Sequence, residues 1–152
     1  MIERSEPPVW LLDTNVLVSG LLSPFGPPGR LVDALLARQL MIAIGDRIEA
    51  EYRDVLARPR LGIPAVRRAA VQAIFQFQFH VTASPWSGSA PPDEDDIMFL
   101  EVALQTSART LVTGDLSHFP AGCRGPVVVL SPRDAWERFV GIGLRAPGGD
   151  VP

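Results

Sequence analysis

The chain of 152 residues contains no lysine, so all 14 of its basic side chains are arginine. That absence removes the P-loop NTPases, which need a phosphate-binding lysine, and every enzyme that forms a Schiff base through a lysine amine. Receiver domains and haloacid-dehalogenase-type phosphatases also begin with an aspartate at a strand end, but their patterns include a lysine and fit this chain poorly. Cysteine occurs once, at Cys123, so no intramolecular disulfide can form. Histidine occurs only as His80 and His118, which argues against a zinc site built from nitrogen and sulfur ligands. The net charge of −3 argues against a basic coat for nucleic acid, though it leaves room for a local patch. No signal peptide, apolar run of membrane-spanning length or Gly-rich dinucleotide fingerprint is visible. The expectation is one soluble, cytoplasmic domain with no membrane partner.

What is present alternates in character. Residues 1–8 read as a polar, Pro-bearing arm, and a first strand is expected from about Pro8 to Leu12. "TNVLVSGLL" then reads as a helix with Thr14 or Asn15 near its cap, broken by "SPFGPPG". Leu31, Leu35 and Leu36 have helical spacing, and "LMIAI" is a short apolar strand. In "GDRIEAEYRDVLARPRL" Asp46 and Glu49 have capping-box spacing, Ile48, Tyr52, Val55 and Leu56 form the apolar stripe, and Pro59 stops the helix. Pro64 to about Phe77 fits a helix, although "FQFQFHV" also has the period of a strand. The reading adopted is a helix to about Gln78 and a strand at "HVTA". "SPWSGSAPP" is a loop, "DEDD" leads into a buried helix at "IMFLEVALQTS", and "TLVTGD" and "PVVVL" are strands. "SPRDAWERFV" is a helix with Ser131 as N-cap, Pro132 in its first turn and Asp134 at capping-box spacing. Short apolar strands alternating with helices specify a three-layer α/β/α sandwich with a mainly parallel central sheet, Rossmann-like in outline. The core domain spans 9–140 and a frayed tail 141–152.

In such sheets ligands bind beyond the carboxyl ends of the strands, near the reversal of strand order. Asp13 interrupts the apolar run "VWLLDTNVLVSGLL" at the end of the first strand, and Asp115 ends "TLVTGD". Asp93, Asp95 and Asp96 open the helix that leads into that strand, and Glu51 lies beside the apolar stripe of its own helix. Each acid has a plain structural explanation. Asp13 could cap a helix, Asp96 could favour a helix N-terminus, Asp115 could make a turn and Glu51 could lie on a solvated face. Taken together the plain explanations weaken, because four acids at one sheet edge repel each other unless a cation joins them. Oxygen-only ligation favours Mg²⁺ or Mn²⁺, ions suited to phosphate chemistry.

The stretches "LLDTNVLVSGLL", "EAEYRDVLARPRL", "DEDDIMFLEVAL" and "LVTGDLSHF", in this order and at these separations, resemble the PIN-domain nucleases. The resemblance is closest to a toxin group within them that includes VapC-type relatives, and it covers roughly Val9 to Val140. It implies that the metal-binding acids fall on Asp13, Glu51, Asp96 and Asp115, with Asp93 and Asp95 as helpers. Asp96 is preferred over its neighbours because it precedes Leu100 by four residues and Ala103 by seven, in the first turn of the helix. Thr14, Asn15 and Thr113 resemble the polar residues that support the acids. The resemblance also implies an RNA substrate, a homodimer and an inhibitory antitoxin protein.

The chemistry open to such a site is metal-assisted hydrolysis of a phosphodiester. Metal ligands alone do not distinguish RNA from DNA, and the choice of RNA rests on the resemblance. Arg53, Arg58 and Arg60, with Arg67 and Arg68 beyond them, follow Glu51 and could contact phosphates; a solvated helical face explains them equally well. His118 follows Asp115 by three residues and could touch substrate, but reads better as a surface-loop histidine. Phe75, Phe77 and Phe79 do not all fit one helical face, so some aromatic surface is left for packing or for a partner. The leading expectation is a metal-dependent ribonuclease, followed by a silent module that binds RNA or protein, and then by a metal-dependent phosphatase.

Overall fold

The computed structural model describes residues 6–144. The first five residues of the expected arm and residues 145–152 of the expected tail lie outside the described residues.

Strand β1, Val9–Leu12, is apolar throughout and lies at the centre of the sheet, with Trp10, Leu11 and Leu12 all buried. Helix α1, Thr14–Leu22, starts one residue after it, and α2, Pro27–Leu36, follows the Pro/Gly-rich break. Pro27 and Pro28 suit the first turn of α2 because the amides they lack have no partner inside a helix. Strand β2, Met41–Ile44, leads into α3, Asp46–Leu56. A 3-10 turn at Pro59–Leu61 ends on Gly62, whose φ of 65° accounts for a glycine there. Helix α4, Ala65–Ile74, tightens into a 3-10 turn at Phe75–Phe77 before strand β3, Phe79–His80. A long loop and a 3-10 turn, Glu94–Asp96, precede α5, Ile97–Ala103. Strand β4, Thr110–Val112, two further 3-10 turns, β5, Val128–Leu130, and α6, Pro132–Leu144, complete the described chain.

The five strands form one sheet in the order β3-β2-β1-β4-β5, with every pairing parallel. The chain winds from β1 to β3 in one direction and then returns to β4 and β5, so order reverses between β1 and β4. Helices α1, α2, α3, α4 and α6 pack on one another in one layer, whereas α5 lies against β1, β2 and β4. Right-handed crossovers place α5 on the opposite face, because the connection that contains it runs the other way across the sheet. The architecture is thus the expected α/β sandwich.

Three local expectations are corrected. Gly45, not Asp46, is the N-cap of α3; Asp46 already lies inside the helix, so it and Glu49 do not form a capping box. The fourth helix stops at Ile74, and its strand begins at Phe79, earlier than "HVTA". Phe75 turns into the core against Tyr52, while Phe77 and Phe79 stay 56% and 46% exposed. Asp96 closes a 3-10 turn and caps α5, one residue before the helix proper. At α6 the Ser131 hydroxyl does accept the Asp134 amide at 3.1 Å, as an N-cap should.

Candidate active site

The pairing registers bring the acids together. Leu12 lies opposite Val112, and the Asp13 amide continues the ladder by donating to the Val112 carbonyl at 2.8 Å. Asp13 and Thr113 therefore leave adjacent strands at the same level, at the reversal of strand order. Thr113, fully buried, donates its hydroxyl to Asp13 Oδ2 at 2.8 Å. Asp13 is the N-cap of α1 by position but makes no side-chain capping bond, so its carboxylate is turned to the site. Burial raises its carboxyl above the ordinary range, against the opposing pull of the Thr113 hydroxyl, the Asn15 amide, His118 and the Thr14 amide.

Glu51 joins through the first residue of α1, where the buried Thr14 hydroxyl donates to Glu51 Oε2. Below it, the buried Tyr52 hydroxyl donates to the Leu12 carbonyl, tying α3 to the end of β1. Burial, then the charges of Asp13 and Glu51, hold the Tyr52 phenol well above its usual range. Sequence reasoning placed Tyr52 in an apolar stripe; its hydroxyl contact appears only once α3 is laid against β1.

Asp96 enters from the other face of the sheet. Its side chain is only 13% exposed, and its Oδ2 is buried with no hydrogen-bond partner. Its carboxyl is raised to about 6, first by burial and then by the charge of Asp13, with further contributions from Asp93 and Glu51; His118 acts in the other direction. Asp93 and Asp95 are exposed, and Asp93 is engaged locally, accepting the Asp95 amide at 2.9 Å. Of the three candidates at this turn, Asp96 is the one set within the cluster.

Asp115 forms the open side and is 47% exposed. It accepts both the hydroxyl and the amide of Ser117, and these bonds hold its carboxyl below the ordinary range. His118 stands between two acids, with Nδ1 3.5 Å from Asp96 Oδ2 and Nε2 3.2 Å from Asp115 Oδ2. His118 does lie on the surface, its side chain 44% exposed, and the 3-10 turn Leu116–His118 also sets its ring against both acids. Its three-residue spacing from Asp115 was the available signal. Asn15, by contrast, is exposed and faces the site through its amide.

The arginines do not converge on the acids through their observed contacts. Arg53 pairs with Glu49 at 3.1 Å and lies over the Phe75 ring, and Arg58 pairs with Asp54 at 2.9 Å. Arg67 reaches the Gly20 carbonyl at 3.3 Å, while Arg60 is exposed.

A cation suits this donor set. Asp96 Oδ2 has given up water without gaining a hydrogen bond, the His118 ring standing 3.5 Å off, and the neighbouring carboxylates penalise its charge. Among the described residues no three His, Cys, Asp or Glu side chains stand in ligating geometry. The residues able to hold it are Asp13, Glu51, Asp96 and Asp115, all oxygen donors of the kind Mg²⁺ and Mn²⁺ take.

Fold and site together define an α/β domain whose carboxylates meet at the switch point of a parallel sheet. A family model for the PIN domain matches residues 9–117, and the chain belongs to the PIN-domain family. PIN domains are generally nucleases and usually use divalent metals. No curated protein and no solved structure matches the sequence. Among the described residues no helix is long and apolar enough to cross a membrane.

Proposed function

We propose that the protein is an endoribonuclease that hydrolyses phosphodiester bonds of RNA with Mg²⁺ or Mn²⁺ held by Asp13, Glu51, Asp96 and Asp115. The observation that carries this reading is the buried Oδ2 of Asp96, without a hydrogen bond and with only the His118 ring 3.5 Å away, among the charges of Asp13, Asp93 and Glu51. Such an oxygen is costly in a domain that does not use it.

When bound, a divalent ion makes its water a stronger nucleophile near neutral pH and neutralises charge developing on the phosphate. The protein's own groups prepare for that step. Thr113 and Thr14 hold Asp13 and Glu51 by donating to them, so the two carboxylates keep their free oxygens toward the centre. Asp115, kept ionised by Ser117, supplies a fixed negative charge at the open side. Asp96, its carboxyl raised to about 6 by burial and the neighbouring charges, is the acid whose ionised form a cation would stabilise most. Arg53, Arg58 and Arg60 are the candidates for the phosphates on either side, Arg53 and Arg58 by exchanging Glu49 and Asp54 for RNA.

The protein acts in the cytoplasm as the toxin of a toxin-antitoxin pair, held inactive by an antitoxin protein, and pairs with a second copy of itself. This part of the reading is supported only by the resemblance of its motifs to the toxin group. A silent PIN module that binds RNA or protein is the second reading, favoured by one observation: His118 already bridges Asp96 and Asp115 where a cation would compete. Cleavage of labelled RNA, with single-stranded DNA alongside, in Mn²⁺ or Mg²⁺ and in EDTA, separates the two. Metal-dependent cleavage that Asp13→Asn abolishes is expected. Intact RNA with either ion would favour the silent module.

A further inference from the structure

A groove of about 470 Å³, lined by none of the four acids, lies between the start of α3, the chain leaving β3 and one side of α5. We infer that it is a subsite for a guanine base of the nucleic-acid substrate, with Glu101 reading the base edge. The inference deepens the nuclease reading and rests on it.

Position comes first. Continuing the β1–β2 register past Trp10 and Ile42 sets Gly45, which lines the groove, level with Asp13 on the next strand. Neighbouring strands lie about 5 Å apart. On the other side Met98 lines the groove two residues after Asp96. A nucleotide whose phosphate rests at the acids therefore has this groove within reach of its base. The volume falls in the range of small-ligand pockets.

Chemistry then selects what enters. Met98, Glu101 and Val102 stand at i, i+3 and i+4 on one face of α5, and Pro85 also lines the groove, so apolar surface is available to the flat faces of a base. The carboxylates of Glu101 and Asp46 line the same space, with the Arg47 guanidinium and the His80 ring also on its wall. Carboxylates only accept, so the edge they meet must donate. Guanine offers N1–H and the N2 amine side by side. Adenine and cytosine set a ring-nitrogen acceptor next to their amine, and uracil sets its N3–H between two carbonyls. Glu101 is also pre-oriented, because its Oε2 accepts the Trp86 amide at 2.8 Å.

That bond gives Glu101 a plain structural role, which Glu101→Gln separates from recognition. The amide oxygen of glutamine still accepts the Trp86 N–H, whereas its NH₂ replaces the free acceptor with a donor. Isothermal titration of the full chain, in Mn²⁺, with GMP, AMP, CMP and UMP is the test. GMP is expected to bind about tenfold or more tighter than the others, and Glu101→Gln to erase the preference. Asp46→Asn, on the exposed rim, gives a second variant, expected to weaken the preference without touching the Trp86 contact. Equal binding of the four, no binding, or a preference that survives Glu101→Gln would overturn the subsite. RNA cleavage is scored separately: cleavage without guanine preference overturns the subsite and keeps the nuclease, whereas guanine preference without cleavage supports the subsite and removes the nuclease.

Discussion

Replacing Asp96 by asparagine should make the metal-free protein more stable, an unusual result for a substitution in a partly buried site. The carboxyl is raised from 3.8 to about 6, so between those values the folded protein holds a proton that the unfolded chain has released. Stability from this group is therefore gained as pH falls from about 7 toward 4, the reverse of the ordinary salt-bridged aspartate. At 1.36 kcal/mol per pH unit the cost at pH 7 has a ceiling of about 3 kcal/mol. Solvent at the mouth of the site screens part of it, leaving about 1–2 kcal/mol, or a melting rise of several degrees for a chain of this size. Asparagine removes the charge at nearly constant volume, and no capping bond is lost because Asp96 makes none. Thermal melts in EDTA at pH 5 and 7 would read this out: wild type should gain on acidification, and the variant should start higher and gain less. With Mn²⁺ at about 100 times its Kd, wild type should gain about 2.7 kcal/mol and the variant far less. A variant that melts lower than wild type in EDTA, or gains as much from Mn²⁺, would refute the claim that this carboxylate is kept at a cost for a cation.

Thr113→Val should cost about 1–3 kcal/mol in urea unfolding and greatly reduce cleavage, since it strips the buried Asp13 carboxylate of its hydroxyl donor at 2.8 Å. Tyr52→Phe leaves the buried Leu12 carbonyl without that donor and should cost about 1–2 kcal/mol by the same measure. Gly29→Ala should lower the melting temperature sharply, by the equivalent of about 3 kcal/mol, because the added methyl would sit 2.3 Å from the Pro24 backbone where α2 turns under α1. Ser117→Ala should return the Asp115 carboxyl upward toward its ordinary value, visible as an upward shift of its titration by NMR.

The fold was largely legible because it rests on local pattern. Apolar runs of four or so residues between amphipathic helices leave few arrangements, and the register then carries Asp13 beside Thr113 without further information. Asp13 stands out because a charge follows a strand that is otherwise buried, whereas the helical spacing used to prefer Asp96 does not hold, since it lies in the 3-10 turn before α5. What was not legible depends on long-range packing. The reach of Tyr52 to Leu12 requires α3 on β1, and the position of His118 over two acids requires a 3-10 turn that no periodicity announces. The capping box at Asp46 and Glu49 misled because Gly45, in an extended conformation, took the cap position itself. Glu101 looked like one polar residue in a buried helix, and only the loop fixed at Trp86 turns it into the wall of a groove.

The bond between Thr113 and Asp13 joins residues 100 positions apart. During synthesis three of the four acids, Asp13, Glu51 and Asp96, are made before β4, and until β4 inserts beside β1 the Asp13 carboxylate lacks the Thr113 hydroxyl that holds it. A chain cut before Thr110 carries Asp13, Glu51 and Asp96 but neither Thr113 nor Asp115, so the cluster is completed only when the sheet is.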